Sequence, residues 1–156
     1  MKNSENRKVK VLIVYDSVYG NTEKIANAMG NAIASEAKVV HVANADPSEL
    51  KKFDMLIVGS PTHGGRPTSP VQEFLNKILI SNIEGIKVAA FDTRLTTGFV
   101  KIFGYAAGRI AKNLEKKGAI LVAPAEGFFV KGTTGPLKDG ELERAADWTN
   151  AVMSRI

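Results

Sequence analysis

The chain has 156 residues, 44% of them apolar and 24% charged, which suits one domain with a sizeable buried core. It contains no cysteine, which excludes disulfides, thiolate nucleophiles and Cys-ligated metal centres, and its two histidines, His41 and His63, are too few for a multi-histidine metal site. The net charge is +5, of which residues 1–10 supply +3 (Lys2, Arg7, Lys8 and Lys10 against Glu5), and a mildly basic remainder with only 7% aromatic content is not the composition of a nucleic-acid binder.

Residues 1–8 read as a flexible basic tail and 9–156 as a single domain. The nearly continuous, β-branched apolar run 9–15 predicts a strand covered on both faces. After a polar loop over 16–21, Ile25, Ala26, Ala28, Met29, Ala32 and Ile33 recur at helical spacing and predict a helix to about Ser35. A second strand is predicted over 38–42, a helical turn over 46–50 and a third strand over 55–59. Residues 60–69 form a loop rich in Gly, Pro and Thr, and a helix follows over 70–80 with Ser69 as its cap. A fourth strand over 86–91, a helix over 103–117 stopped by Gly118, a fifth strand over 119–123 and a closing helix over 141–155 complete the chain. Residues 131–140 read as loosely held. Strands alternating with helices imply right-handed parallel βαβ units, hence a doubly wound three-layer sandwich. No apolar run approaches the roughly 20 residues of a membrane span, and the polar, basic start lacks an apolar core behind it, so a cytoplasmic location is expected.

In such a sheet ligands bind beyond the C-terminal ends of the strands. The loop leaving the first strand carries Ser17, Val18, Tyr19, Gly20, Asn21 and Thr22. Two hydroxyls, an amide and backbone N–H groups at a helix N-terminus make a cradle for a phosphate, or else simply cap the helix. Without the lysine and spacing of a Walker loop, nucleoside-triphosphate hydrolysis is disfavoured. A receiver-type phosphoacceptor would need Asp where the third strand ends in Val58-Gly59-Ser60. A haloacid-dehalogenase-type phosphatase would need Asp where Val18 stands, and a tyrosine phosphatase would need Cys. The loop after the third strand, Pro61, Thr62, His63, Gly64 and Gly65, reads either as a tight turn or as a flat wall beside a planar ligand, where glycine backbone can approach closely.

Taken together, Asp16-Ser17-x-x-Gly20-Asn21-Thr22-x-x-Ile25-Ala26 and Gly59-Ser60-Pro61-Thr62-x-Gly64-Gly65 resemble the FMN-phosphate and flavin-flanking loops of the flavodoxin family. The resemblance implies a flavodoxin-like fold, a five-stranded parallel sheet in order 2-1-3-4-5 holding one non-covalent FMN and no metal. It implies the phosphate on residues 17–22, the isoalloxazine beside residues 61–65, and a third contact from Asp92, Thr93 and Arg94. There the chain departs from the family, which commonly has Gly-Asp and then a stacking Tyr; Phe99 is the candidate stacking residue here. The implied function is a non-enzymatic electron carrier that shuttles single electrons through the flavin semiquinone between redox partner proteins, such as ferredoxin-like donors or reductases. A monomer is expected, and the alternative is an FMN-dependent NAD(P)H:quinone reductase. Arg94, Lys101, Arg109 and Lys112 are expected on a solvated helix face, though any one of them near the ring would make the flavin's anionic reduced form less unfavourable. His41 is expected on a strand, packed or at an edge. Phe128, Phe129 and Val130 are expected to fold back onto the core, the alternatives being a flank of the ligand pocket or a partner-docking patch.

Overall fold

Five strand positions, all parallel, organise the computed structural model, which describes residues 8–95 and 105–156. Strand β1 (Lys10–Tyr15) lies between β2 (Glu36–His41) and β3 (Met55–Pro61), and β3 pairs in turn with β4 (Lys87–Leu95). The order β2-β1-β3-β4-β5 is the expected one, with β5 (Ile120–Leu121) on the outer side of β4. The expected tail falls largely, and Phe99, Lys101 and the predicted helix start at Phe103 fall wholly, outside the described residues.

Two apolar layers follow from strand alternation. Leu12, Val14, Leu56 and Val58 face α2 (Ser69–Lys77) and α4 (Ala106–Lys116). Val11, Ile13, Met55 and Ile57 face α1 (Asn21–Ala32) and α5 (Glu141–Met153). The central strands are buried on both sides, which is why they read as continuous apolar runs. Each fully buried Ile or Leu contributes roughly 1.5–3 kcal/mol relative to exposure.

Several boundaries differ from expectation for identifiable reasons. Helix α1 stops at Ala32 because Ile33 is extended and folds its N–H back to Gly30 O. The predicted helix over 70–80 is two pieces, α2 and a single turn α3 (Ile80–Ile83), split where Ile78 turns extended. Ser69 is the first helical residue rather than the cap, and Thr68, at the cap position, sends its hydroxyl to Asp16 instead. Strand β4 runs on to Leu95, so Asp92, Thr93 and Arg94 are strand residues rather than loop. The predicted fifth strand is broken. Val122 N–H donates to Val88 O, but Pro124 has no N–H to offer and the ladder stops. It resumes as β6 (Glu126–Val130), which pairs with the C-terminal half of β4 from Phe91↔Glu126 to Leu95↔Val130.

Residues 131–140 are held rather than loose. Lys131 N–H donates to Pro136 O at 2.8 Å, Lys138 N–H to Phe129 O at 2.8 Å, and Asn21 Nδ2 to Thr134 O at 3.2 Å. The segment leads into Glu141, whose carboxylate accepts from Phe129 N–H (2.7 Å) and from Arg144 Nε and Nη2 (both 2.8 Å). Arg144 also lies over the Phe128 ring at 4.5 Å. The hydrogen bonds from Arg144, and then that from Phe129 N–H, hold the Glu141 carboxyl below the usual carboxylate range despite its burial. A depressed carboxylate contributes stability that is complete above its unfolded value and is lost as pH falls through the folded one. Glu141→Gln is therefore expected to destabilise the protein at neutral pH by about 1–3 kcal/mol. Urea unfolding should show this deficit shrinking as pH is lowered below about 4, the unfolded-state range of glutamate.

Candidate functional site

At the C-terminal edge of the sheet the loops after β1 and β3, the end of β4 and the segment around the end of β6 border a cavity of about 300 Å³. That size is in the range of small-molecule sites. The loop after β1 is shaped by its own hydrogen bonds. Ser17 Oγ accepts from Gly20 N–H at 3.0 Å and from Glu23 N–H at 3.3 Å, so the serine caps α1 from outside the helix. Gly20, at φ 93°, makes the left-handed step that aims the first turn of α1 at the cavity. The N–H groups of Asn21 and Thr22 open that turn, where a helix has no carbonyl partners to offer. Both readings of Ser17 and Thr22 thus meet in one arrangement: the hydroxyls organise the turn, and the turn presents donors to the cavity.

Asp16 ties this loop to the next. Its Oδ1 accepts from Ser17 N–H at 2.9 Å and lies 3.2 Å from His41 Nε2, while its Oδ2 accepts the Thr68 hydroxyl at 2.5 Å. His41, at the end of the edge strand β2, meets the Tyr15 ring edge-on at 5.5 Å between centroids and accepts from Ala43 N–H through Nδ1. The Tyr15 hydroxyl donates to Glu23 at 3.0 Å. Burial first, and then the neighbouring Glu23 carboxylate, push that phenol up.

The loop after β3 closes as a two-residue reverse turn. His63 N–H donates to Arg66 O at 2.9 Å and Arg66 N–H to His63 O at 3.0 Å, with Gly64 at φ 57° and Gly65 at φ 78°. Two consecutive positive φ angles are the mark of a type I′ turn, which explains the diglycine. Arg109, on α4, donates from Nε to Gly65 O at 2.9 Å and steadies the turn from behind.

The third wall is β4. Thr93 Oγ1 and Thr22 Oγ1 lie 2.8 Å apart, joining β4 to α1 under the cavity floor. Arg94 borders the cavity, but not as part of a solvated helix face. It is a strand residue whose guanidinium meets Asp92 through Nε and Nη2, both at 2.7 Å, and lies 3.4 Å from the Tyr105 ring centroid. Gly127 of β6 leaves room for it, since a Cβ there would stand 2.1 Å from Arg94 Nε. Asp92 largely offsets the charge that Arg94 brings to the cavity wall.

Of the residues predicted from sequence, Ser17, Val18, Tyr19, Asn21 and Thr22 line the cavity from one side, and residues 61–65 line it from another. Thr93 and Arg94 complete it, whereas Gly20 acts through its backbone angle. Asp92 does not reach the cavity. It is fully buried, and besides Arg94 its carboxylate accepts from Ala107 N–H at 2.9 Å, capping α4 from fifteen residues away. Leu95, Val130 and Thr133 also line the cavity; sequence reasoning missed Leu95 and Thr133 and raised Val130 only as an alternative to the core. The first depends on β4 running further than its apolar core, and the others depend on β6. Of Phe128, Phe129 and Val130, only Phe128 is wholly in the core, while Val130 borders the cavity.

The lining combines hydroxyls and amide groups at one end with Val18, Tyr19, Pro61, Leu95 and Val130, and among the described residues it contains no carboxylate. An anionic tail on a flat apolar body fits this division. Among the described residues no group of side chains could hold a metal ion.

A family model described as a flavodoxin domain matches residues 12–125. The flavodoxin of Synechococcus elongatus is 30% identical over 124 residues, which is 76% of this chain and 73% of that protein. A Nostoc sp. protein bearing the name diflavin flavoprotein A 6 is 37% identical over 76 residues, 44% of this chain, and the chain spans 13% of that relative's length. Among solved structures, oxidised flavodoxin 2 from Bacillus cereus superposes with a TM-score of 0.80 at 26% identity, covering 95% of this chain and all (100%) of that one.

Proposed function

The chain belongs to the flavodoxin family, and from that premise we propose that it binds one FMN in the cavity at the C-terminal edge of the sheet and carries electrons between redox partner proteins. The observation that carries the reading is that the lysine-free loop 17–22 and the diglycine turn border one cavity whose lining, among the described residues, holds no carboxylate. The first-turn N–H groups of α1, with the helix dipole behind them, hold a doubly negative phosphate without a cation. The turn at Gly64 and Gly65 lets backbone come close to the edge of a planar ring where a Cβ would intrude. Val18 and Tyr19, 52% and 54% exposed, stand at the mouth and limit water at one ring face. Bound FMN supplies reversible one-electron chemistry, and no side chain of this site has to act as acid, base or nucleophile. Among the described residues no helix is long and apolar enough to cross a membrane.

Reconstitution tests this reading. The purified chain is expected to take up FMN stoichiometrically and to accept electrons from dithionite in two resolved steps. Failure to bind FMN removes the proposal. Reduction in a single two-electron step, with rapid NADPH oxidation in the presence of a quinone, moves it to an FMN-dependent reductase. Ser17→Asp sets a carboxylate against the phosphate and is expected to weaken FMN at least tenfold, roughly 1.4 kcal/mol. Riboflavin, which lacks the phosphate, should bind the variant as it binds the wild type. Equal losses for both ligands in fluorescence titrations would mean that the cradle does not read the phosphate.

A further inference from the structure

We propose that Thr93 is a positioning residue for the phosphate cradle. Its hydroxyl donates to Thr22, which leaves the Thr22 proton for the cavity and makes the site select the phosphate ester over the bare alcohol. The inference rests on the FMN reading of the cavity, and its basis is a proton count. Thr22 Oγ1 and Thr93 Oγ1 lie 2.8 Å apart, and either can be the donor. Both residues line the cavity, although they are only 1% and 5% exposed. Each hydroxyl has one proton to give and lone pairs to receive. Their mutual bond uses one of the two protons. Among the described residues neither hydroxyl makes another hydrogen bond, so the acceptor of the pair keeps a proton with no partner in the protein.

The two directions of this bond differ in what an anion meets at the start of α1. With Thr22 as donor, its proton is spent on Thr93 and only its lone pairs are left for the cradle, where they repel a phosphate oxygen. With Thr93 as donor, the Thr22 proton joins the Asn21 and Thr22 N–H groups, and donors alone face the anion. A hydroxyl that accepts a hydrogen bond is also polarised into a better donor. No carboxylate competes for that proton: the lining holds none among the described residues. Asp16, at the base of the loop, already receives Ser17 N–H and the Thr68 hydroxyl and lies beside His41.

The fold suits Thr93 to this task. Its backbone is held from both sides, in register with Pro61 of β3 and with Phe128 of β6, and its carbonyl accepts from Thr62 N–H at 2.9 Å. A β-branched side chain on so fixed a backbone has few ways to turn. Thr22 is fixed in its own way by the first turn of α1, entered through the left-handed step at Gly20. The two hydroxyls come from positions 71 residues apart, so the sheet sets the direction in which a helix start offers its proton.

The test is a set of fluorescence titrations of the full chain with FMN and with riboflavin, for the wild type, Thr93→Val, Thr93→Ser, Thr22→Val and the double variant Thr22→Val/Thr93→Val. Thr93→Val keeps the shape of the side chain and is expected to weaken FMN about fivefold, the scale of one hydrogen bond, while riboflavin binds as it does to the wild type. Thr93→Ser should restore FMN affinity. The double variant should bind FMN no more weakly than Thr22→Val alone, because Thr93 acts only through Thr22. Undiminished FMN binding by Thr93→Val, equal losses for FMN and riboflavin, or additive losses in the double variant each overturn the inference. If Thr93→Val does not fold, Thr93→Ala is read by the same criteria. A wild type that binds no FMN removes the reading of the cavity and this inference with it, whereas a wild type that binds FMN no better than Thr93→Val does removes the inference alone.

Discussion

Arg94→Met is expected to destabilise the protein by about 3–5 kcal/mol, the range for removing one partner of a buried ion pair. Asp92 is fully buried, and its carboxylate has three donors: Arg94 Nε and Nη2 at 2.7 Å and Ala107 N–H at 2.9 Å. Methionine fills much of the arginine's volume but leaves a buried carboxylate with one N–H and the dipole of α4 for company. Loss of the contact with the Tyr105 ring adds to the deficit. Arg94→Lys should not restore stability, because a single ammonium cannot make both planar contacts. Asp92→Asn in the Arg94→Met background should recover part of the loss, since the stranded charge is then gone. Urea denaturation of the four proteins measures each term. A penalty for Arg94→Met under about 1 kcal/mol would mean that the pair behaves as a solvated one.

The second large effect is expected at Gly59, where β3 passes the ring of Phe91 on the neighbouring β4. The two residues are register partners, and an added Cβ at position 59 would stand 2.0 Å from Phe91 Cζ and 2.3 Å from Cε1. Phe91 is fully buried and meets Phe128 edge-on at 6.1 Å, so the ring has nowhere to retreat. Gly59→Ala should therefore cost about 3 kcal/mol, the upper part of the range for overpacked cores. The loop over residues 61–65 hangs from this end of β3, so FMN affinity should fall together with stability. Phe91→Leu in the Gly59→Ala background should return part of both, because the smaller side chain vacates the space the methyl needs. If Gly59→Ala alone melts like the wild type, strand β3 has room here that the contact distances deny.

The expected results at Asp92 and Gly59 also mark the limit of reading along the chain. Residues 9–15 announce a strand buried on both faces because the two sheet faces need apolar side chains at every position, and period and composition carry that directly. Ser17 to Thr22 and the Gly64-Gly65 pair were legible for a similar reason: backbone donors at a helix start and consecutive positive φ angles demand particular residue types locally. Parallel strands followed from the alternation of strands and helices, and their order from the family resemblance.

What the linear pattern did not contain was the length of β4, the break at Pro124 and the return of the ladder as β6. Pairing across β4 and β6 joins Phe91 to Glu126 and Leu95 to Val130, partners 35 residues apart, and such pairing decides whether a polar residue is strand or loop. Asp92 therefore passed for a ligand residue when it is the buried counter-ion of Arg94 and the cap of α4. Thr133 was hidden for the same cause, and the Arg109 bond to Gly65 because it joins segments 44 residues apart. Local chemistry determines which groups can bind, and only the packing of distant segments determines which way each group faces and which charges are already spoken for.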